Sequence, residues 1–232
     1  MIYRELAEIY DQLVKDEEAT KSWVKFVTDN ISGNKILELA CGSGEISLAL
    51  AELGYEIFAT DNSEAMLEKA RGKIKNQKIE FANMNMLSWT ITDKYDGIIC
   101  FCDSLNYMCE YEELRYIFHQ ANKHLNAQGV LLFDIHHQHR LVELNDGWDE
   151  EGSFGDISYQ WIIQRDYNQL IHYFNFIKEN HIYQEIHVQT VFNKTKVENL
   201  LVDCGFGVTV FTDYDIFNED LKERYFFKAI KV

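Results

Sequence analysis

The period of apolar positions changes several times along the chain, and the changes mark out its elements. Over residues 4–30, Leu6, Ile9, Leu13, Val14, Trp23, Val24, Phe26 and Val27 fall at mixed i, i+3 and i+4 spacing, which predicts one or two amphipathic helices. The rhythm then shortens. Residues 35–40 form an apolar run ending in Cys41-Gly42-Ser43-Gly44, and a helical stretch over 45–53 follows, closed by Gly54. Residues 55–60 read as a second strand ending at Asp61, with Asn62 or Ser63 placed to cap a helix through Glu64, Met66, Leu67 and Ala70. Strands over 79–82 and 95–101 come next, then a helix over 111–125 and a strand over 129–134. Such alternation predicts an α/β fold: a doubly wound, mainly parallel sheet with right-handed crossovers.

Beyond residue 137 the pattern breaks. Residues 144–155 are acidic and free of Lys and Arg, and read as an exposed loop. Three strand-like stretches follow, over 157–166, 170–179 and 181–192, joined by turns at 167–169 and Asn180, which predicts an antiparallel meander. Ile157, Tyr159, Trp161 and Ile163 share one face of the first, and Glu185, His187 and Gln189 share one face of the third. Thr195 and Glu198 stand at capping-box spacing for a helix ending at Gly205, and strands over 208–211 and 225–232 close the chain as a hairpin-like pair.

Composition narrows the function. Of 232 residues, 47% are hydrophobic and 26% charged, which is globular rather than disordered, collagen-like or coiled-coil. Thirty-eight acids against 22 Lys and Arg give a net charge of −16, which argues against a nucleic-acid footprint. No apolar run reaches the roughly 20 residues of a membrane span, and the N-terminus has acids where a signal peptide has an apolar stretch, so a cytoplasmic protein is expected. The five cysteines lack the paired spacing of a zinc site and read as reduced thiols; proline is absent, so turns rely on Gly, Asn and Asp.

The candidate chemistry gathers where the predicted strands end. A glycine turn after the first strand of an open α/β sheet allows close backbone approach to a ligand. Asp61, about 20 residues further on at the tip of the second strand, can accept both hydroxyls of an adenosine ribose. Together they imply a cofactor containing a nucleoside. A dinucleotide fingerprint would continue Gly42 and Gly44 with a small third residue, where Ser47 stands, so NAD fits less well.

With ILELACGSGEIS, FATDNSEAML, FCDSLNYM, LNAQGVLLFDIHH and VENLLVDCGF in this order, the chain resembles the class I S-adenosylmethionine (SAM) dependent methyltransferases along nearly its whole length. DSLNY, FDIHH and the later EIHVQ point to the YqeM-like bacterial branch. The resemblance implies a Rossmann-like core with a seven-stranded, mainly parallel sheet and a terminal antiparallel hairpin, over 1–137 and 193–232. It leaves 138–192 as an inserted, β-rich substrate lid, with an N-terminal helical cap in which Tyr3 and Tyr10 close over the cofactor. It also implies that Glu38, Ala40, Cys41, Gly42 and Gly44 lie along the methionine part of SAM, Asp61 on the ribose, Asn62 and Met66 beside the adenosine, and Asn85 and Met86 against the adenine. Cys102 and Asp103 complete that set. Ala40 stands where a first glycine is common, Asn85 where an aspartate is usual, and Ala127 where proline often precedes the fifth strand.

Methyl transfer needs an aligned nucleophile, a dry site and, for some acceptors, a base. Asp103, Asn106 and Tyr107 beyond the fourth strand and His136 beyond the fifth are the catalytic candidates, His136 being the preferred base. Asp103 and Asn106 have an alternative role, capping the following helix and holding the cofactor's amino group. His136 and His137 are adjacent on an extended chain and point to opposite faces, so no metal is expected. The expected function is methyl transfer from SAM to a small-molecule acceptor, by a monomer or homodimer with no membrane partner. Two alternatives stay open: a nucleic-acid (RNA) methyltransferase, and a catalytically inactive module that binds SAM or S-adenosylhomocysteine (SAH).

Overall fold

Neighbouring residues along the central strands face opposite layers. The computed structural model describes residues 6–8, 10–14, 16–75, 78–179 and 181–232. Its main sheet holds β1 (Lys35–Leu39), β2 (Glu56–Asp61), β3 (Ile79–Asn83), β4 (Tyr95–Cys100) and β5 (Leu125–His136). A second sheet is built from β6 (Trp148–Phe154), β7 (Ile157–Asp166), β8 (Gln169–Lys178) and β9 (His181–Thr190), after which β10 (Phe206–Thr212) and β11 (Arg224–Lys231) return to the first. The strand order of the main sheet is β3-β2-β1-β4-β5-β11-β10. β11 runs antiparallel to both its neighbours, β5 and β10, and the five strands β1 to β5 pair with one another in parallel.

Both faces of this sheet are covered, so its strands read as continuous apolar runs. Helices α1 (Tyr10–Val14), α2 (Glu17–Asn30), α3 (Glu45–Glu52) and α4 (Glu64–Lys73) precede β4; α5 (Tyr111–His124), α6 (Arg140–Glu143), α7 (Lys194–Asp203) and α8 (Asp213–Phe217) follow it. One core cluster packs Trp23, Val27, Ile46 and Leu50 from α2 and α3 against Ile36, Ile99, Leu132 and Phe226. The other packs Leu114, Phe118 and Leu201 from α5 and α7 against Leu37, Ile98, Phe133 and Phe227. Successive residues of each strand thus feed opposite clusters, as the two-residue period requires. Phe133 and Phe227 stack across β5 and β11 with ring centroids 4.7 Å apart.

Several expectations are refined. The acidic stretch after residue 144 is not all loop: β6 pairs antiparallel with β7, from Trp148 opposite Ile163 to Phe154 opposite Ile157, and makes the meander four-stranded. Backbone pairing holds this edge strand, and its acids stay largely exposed. Helix α7 begins at Lys194 and is capped by Asn193, whose side chain accepts from the Lys196 amide, so the Thr195–Glu198 box is not the cap. Ser63, rather than Asn62, caps α4. β5 starts at Leu125 and carries a register shift opposite β4 between Tyr95 and Gly97, with Gln128 left-handed at φ 61 in place of a proline turn. Helix α8, which the apolar pattern did not suggest, is fixed by a capping box between Thr212 and Asp215. Tyr3, Ile9 and the turn at Asn180 lie outside the described residues.

Gly97 in β4 tests how tightly the layers close. A Cβ there would stand 2.3 Å from Cδ1 of buried Ile31. Gly97→Ala is expected to lower stability by about 1–3 kcal/mol through overpacking, read as a fall in the urea midpoint without a change of slope.

Candidate active site

Strand order reverses between β1 and β4, and the loops leaving their carboxyl ends diverge there. The gap opens into a cavity of about 690 Å³, bounded by the strand tips, by the N-terminal segment and by the inner face of the second sheet. Residues contributed by all three include Tyr10, Asp61, Tyr107, His136 and Trp161. This volume lies within the range of sites for small molecules and cofactors.

The turn after β1 is wound left-handed at three alternate positions, Ala40 (φ 52), Gly42 (φ 55) and Gly44 (φ 82). Only Ala40 bears the steric strain of a side chain there, which gives a physical reason for glycine being common at that position. The Gly42 amide donates to Asp61 Oδ2 at 2.8 Å and the Ser63 amide to Asp61 Oδ1 at 2.8 Å, so the tip of β2 is tied to the β1 turn. Each carboxylate oxygen keeps a second lone pair for a hydroxyl. Burial raises the Asp61 pKa above the ordinary carboxylate value, against the stabilising amides of Ser63 and Gly42. Glu38 is buried in β1, accepts from the Ser47 hydroxyl, and is pushed up to about 8 by burial. Asp11 of α1 latches the N-terminal segment over this turn, accepting from Ser43 Oγ at 2.5 Å and pairing with Lys73 Nζ at 2.7 Å.

At the tips of β4 and β5 lies a compact ionic cluster. Cys102 and Asp103 are both left-handed (φ 59 and 58), and Cys102 is exposed while Asp103 is buried. Arg224, at the start of β11, grips Asp103 with Nη2 at 2.9 Å and Nε at 3.2 Å, and its Nε stands 3.3 Å from Asp134 Oδ2 without hydrogen-bond geometry. The Asp103 amide donates to Asp134 Oδ1 at 3.2 Å. Burial opposes ionisation of Asp103, but Arg224 and His136 outweigh it and hold the pKa below the usual value. Asp134 is raised well above that value by burial and by Asp103. The His136 ring lies between Gln189 Oε1 (2.8 Å from Nε2) and Asp103 Oδ1 (3.4 Å from Nδ1), and burial keeps its pKa below that of a free imidazole.

The second sheet presents period-two side chains to this cluster. Trp161 stands opposite Phe174, and Phe174 opposite Glu185; Ile163 stands opposite His172, and His172 opposite His187. A hydrogen-bonded chain runs from the Tyr107 hydroxyl to His187 Nδ1 (2.8 Å), from His187 Nε2 to Glu185 Oε2 (3.1 Å), and from Glu185 Oε1 to the Leu6 amide (2.7 Å). It joins the β4 tip, β9 and the N-terminal segment.

Of the residues singled out from sequence, Tyr10, Glu38, Ala40, Cys41, Gly42, Asp61, Asn62, Met66, Asn85, Met86, Cys102, Asp103, Tyr107 and His136 all border the cavity. Asn85 Oδ1 already accepts from the Leu87 amide at 2.8 Å, which leaves one lone pair. Gly44 and Asn106 stand outside the lining. Gly44 caps α3 against Ala70 and Phe81, and Asn106 clamps two strand ends, donating to the Thr190 carbonyl at 2.6 Å and accepting from the His136 amide at 3.0 Å. His137 packs on Tyr225 at 4.1 Å. Among the described residues no group of three His, Cys, Asp or Glu is placed to hold a metal ion. Arg224, Arg140, Trp23 and His172 were missed. Only the aromatic content of the meander hinted at one of them, and nothing local marks Arg224.

A sheet with this order, with a glycine-rich turn after β1 and a buried carboxylate at the tip of β2, goes with a SAM-dependent methyltransferase, and the family model for a methyltransferase domain matches residues 36–129. The putative methyltransferase YqeM of Bacillus subtilis is 34% identical, the match covering 100% of this chain and 98% of that one. The chain belongs to that family of methyltransferases. Its fold is similar to that of a SAM-dependent methyltransferase from Clostridium acetobutylicum, at TM-score 0.83 and 24% identity over 99% of this chain and 98% of that one. It is also similar to that of a sugar N-methyltransferase from Streptoalloteichus, at TM-score 0.77 and 17% identity over 98% and 93%. No described helix is long and apolar enough to cross a membrane.

Glu38 gives the site a pH signature. Its folded pKa, about 8, lies above the ordinary 4.5, so the folded state holds the proton more tightly; its contribution is full below pH 4.5 and is lost as pH rises through 8. Glu38→Gln should remove that loss, making the variant's advantage over wild type grow between pH 5 and pH 8 in urea denaturation. An advantage independent of pH would contradict the assignment.

Proposed function

We propose that the protein transfers a methyl group from SAM to a small-molecule acceptor in the cytoplasm, by in-line displacement within the shared cavity. The observation that carries this reading is that one continuous space is bordered on one side by the tips of β1, β2 and β3 and on the other by the second sheet. When bound, SAM supplies an electrophilic methyl group on a sulfonium.

The residues present fit that group. Asp61 has lone pairs to spare for two ribose hydroxyls, and Asn62 and Met66 flank it at the start of α4. Asn85 and Met86 follow β3, where an adenine edge can be met by a neutral amide. Glu38, Ala40, Cys41 and Gly42 serve the methionine end, with Gly44 setting the turn. Trp23 borders the same space, and its buried indole N–H has no hydrogen-bond partner among the described residues.

Asp103, Tyr107 and His136 face the acceptor, with Asn106 fixing the backbone beneath them. Tyr107, oriented through His187, is placed to position a polar acceptor atom; His136, its pKa held below that of a free imidazole by burial, is the candidate base for an acceptor that needs one. Residues 138–192 act as the lid and 1–137 with 193–232 as the core. The second sheet's scarcity of Lys and Arg supports a small molecule over RNA.

Asp61→Ala should weaken SAM binding about 10- to 100-fold, the value of charge-assisted hydrogen bonds to two hydroxyls, in calorimetric titration of a variant shown to be folded. Unchanged affinity would refute the ribose assignment.

A further inference from the structure

The acceptor side of the cavity has an uneven chemistry. Its wall on the second sheet is aromatic. The Trp148 and Trp161 rings meet edge to face at 5.1 Å, Trp161 lies 5.0 Å from Phe174, and His172 lies 5.9 Å from Trp161. Carboxylates surround that wall: Glu150 on β6, opposite Trp161 and accepting from the Tyr159 hydroxyl at 2.7 Å, with Glu143 on α6 and Glu223 before β11.

The positive side of the ledger is closed. Arg140 and Arg224 are the only Lys or Arg side chains among the described residues lining the cavity. Arg140 pairs with Glu143 at 2.8 Å and stands 3.7 Å from Glu223. Arg224 is committed to Asp103 and Asp134 and also pairs with Glu223 at 3.2 Å. Burial disfavours the charged form of the two histidines that line the cavity: it holds His136 below its ordinary pKa and, with His136 nearby, takes His172 down to about 3. An anionic substituent would enter without an uncommitted counter-charge, and burying an unpaired charge is costly. A cation would find aromatic faces and the Glu150 carboxylate, since Glu143 and Glu223 are themselves paired with the two arginines.

The His172 side chain carries a second observation. It is more than nine-tenths buried in the cavity wall, and Trp161 Nε1 donates to its Nδ1 at 3.2 Å, so in the neutral ring the proton is on Nε2. That N–H has no hydrogen-bond partner among the described residues. Such a donor is satisfied by a neutral oxygen, a hydroxyl or an ether.

We propose that the acceptor is a primary or secondary amine without a carboxylate that carries hydroxyl or ether oxygens, such as an amino sugar or amino alcohol, held against Trp161 and Phe174 with Glu150 beside its nitrogen. This rests on the reading above that the second sheet borders the acceptor side. In the reaction the ammonium first gives a proton to solvent. Its nitrogen lone pair then forms the N–C bond while the methyl–sulfur bond breaks, and that electron pair stays on sulfur. The products are a methylated ammonium and the neutral thioether SAH.

The test pairs binding with turnover. Tryptophan fluorescence with SAH present, and tritium transfer from labelled SAM, are measured with glucosamine, ethanolamine and N-methylethanolamine, with glycine and sarcosine, and with glucose and ethylene glycol. The expected result is binding and methylation of at least one amine of the first group, at least tenfold preferred over the amino acids and alcohols. Glu150→Gln and Trp161→Leu should each weaken amine binding about tenfold while leaving SAH affinity unchanged. A preference for the amino acids or alcohols, or no binding of the first-group amines by a protein that binds SAH normally, overturns the proposal. Failure to bind SAH or SAM overturns instead the reading on which it rests.

Discussion

Two carboxylates, Asp103 and Asp134, are buried side by side at the ends of neighbouring strands, and one guanidinium, Arg224, makes that tolerable. Left alone, two charges so placed repel and are poorly solvated; here Arg224 holds the Asp103 pKa down, while burial and Asp103 push that of Asp134 up. Breaking such a cluster by removing its cation typically costs 3–5 kcal/mol, because the remaining charge stays buried. The cluster also explains the antiparallel placement of β11. Only a strand lying beside β5 and running against it starts where β5 ends, and the register that sets Arg224 opposite His136 brings the guanidinium to the tip of β4.

From that anchor the site assembles outward. Asp103 is held in a left-handed turn beside Cys102, a conformation that costs on the order of 1 kcal/mol or more per residue and needs fixed surroundings to persist. With Asp103 fixed, His136 has a partner on one nitrogen, and Gln189 from the second sheet takes the other. Asn106 binds the backbone of both β5 and β9, so the two sheets meet at a defined height. On the other side Asp61 joins the β1 and β2 tips, and Asp11 draws the N-terminal helix down on the same turn. The cavity is therefore bounded by hydrogen bonds between elements far apart in sequence, which is how a mainly parallel sheet presents one site from many loops.

How much of this the sequence disclosed follows from the range of each interaction. The strands and most helices were legible because both faces of the sheet are buried, and the change from a 3.6- to a two-residue period is a local property. The Gly42–Gly44 turn and Asp61 were legible because a strand, a tight turn and a helix start follow one another directly. Strand β6 was not, since an edge strand of exposed acids and a glycine looks like a loop until its partner is known. Arg224 was invisible for a related reason: it meets Asp103 across 121 positions, and nothing nearby distinguishes it from a surface arginine at a strand end. Asn106 shows the reverse case, a polar residue among candidate catalytic groups whose side chain donates to one strand's backbone and accepts from another's. The aromatic run over 148–176 was legible as a feature, but that its inner face meets the strand tips depends on the long-range seating of β9.

The central claim is that SAM and its acceptor share the cavity between the strand tips and the second sheet. Its most direct test is a crystal structure of the protein with SAH. The account predicts the ribose on Asp61, the adenine beside Asn85 and Met86, and the sulfur turned toward Tyr107 and His136 with free space before the Trp161 wall. SAH bound with its ribose away from Asp61, or with its sulfur sealed from the second sheet, would contradict it.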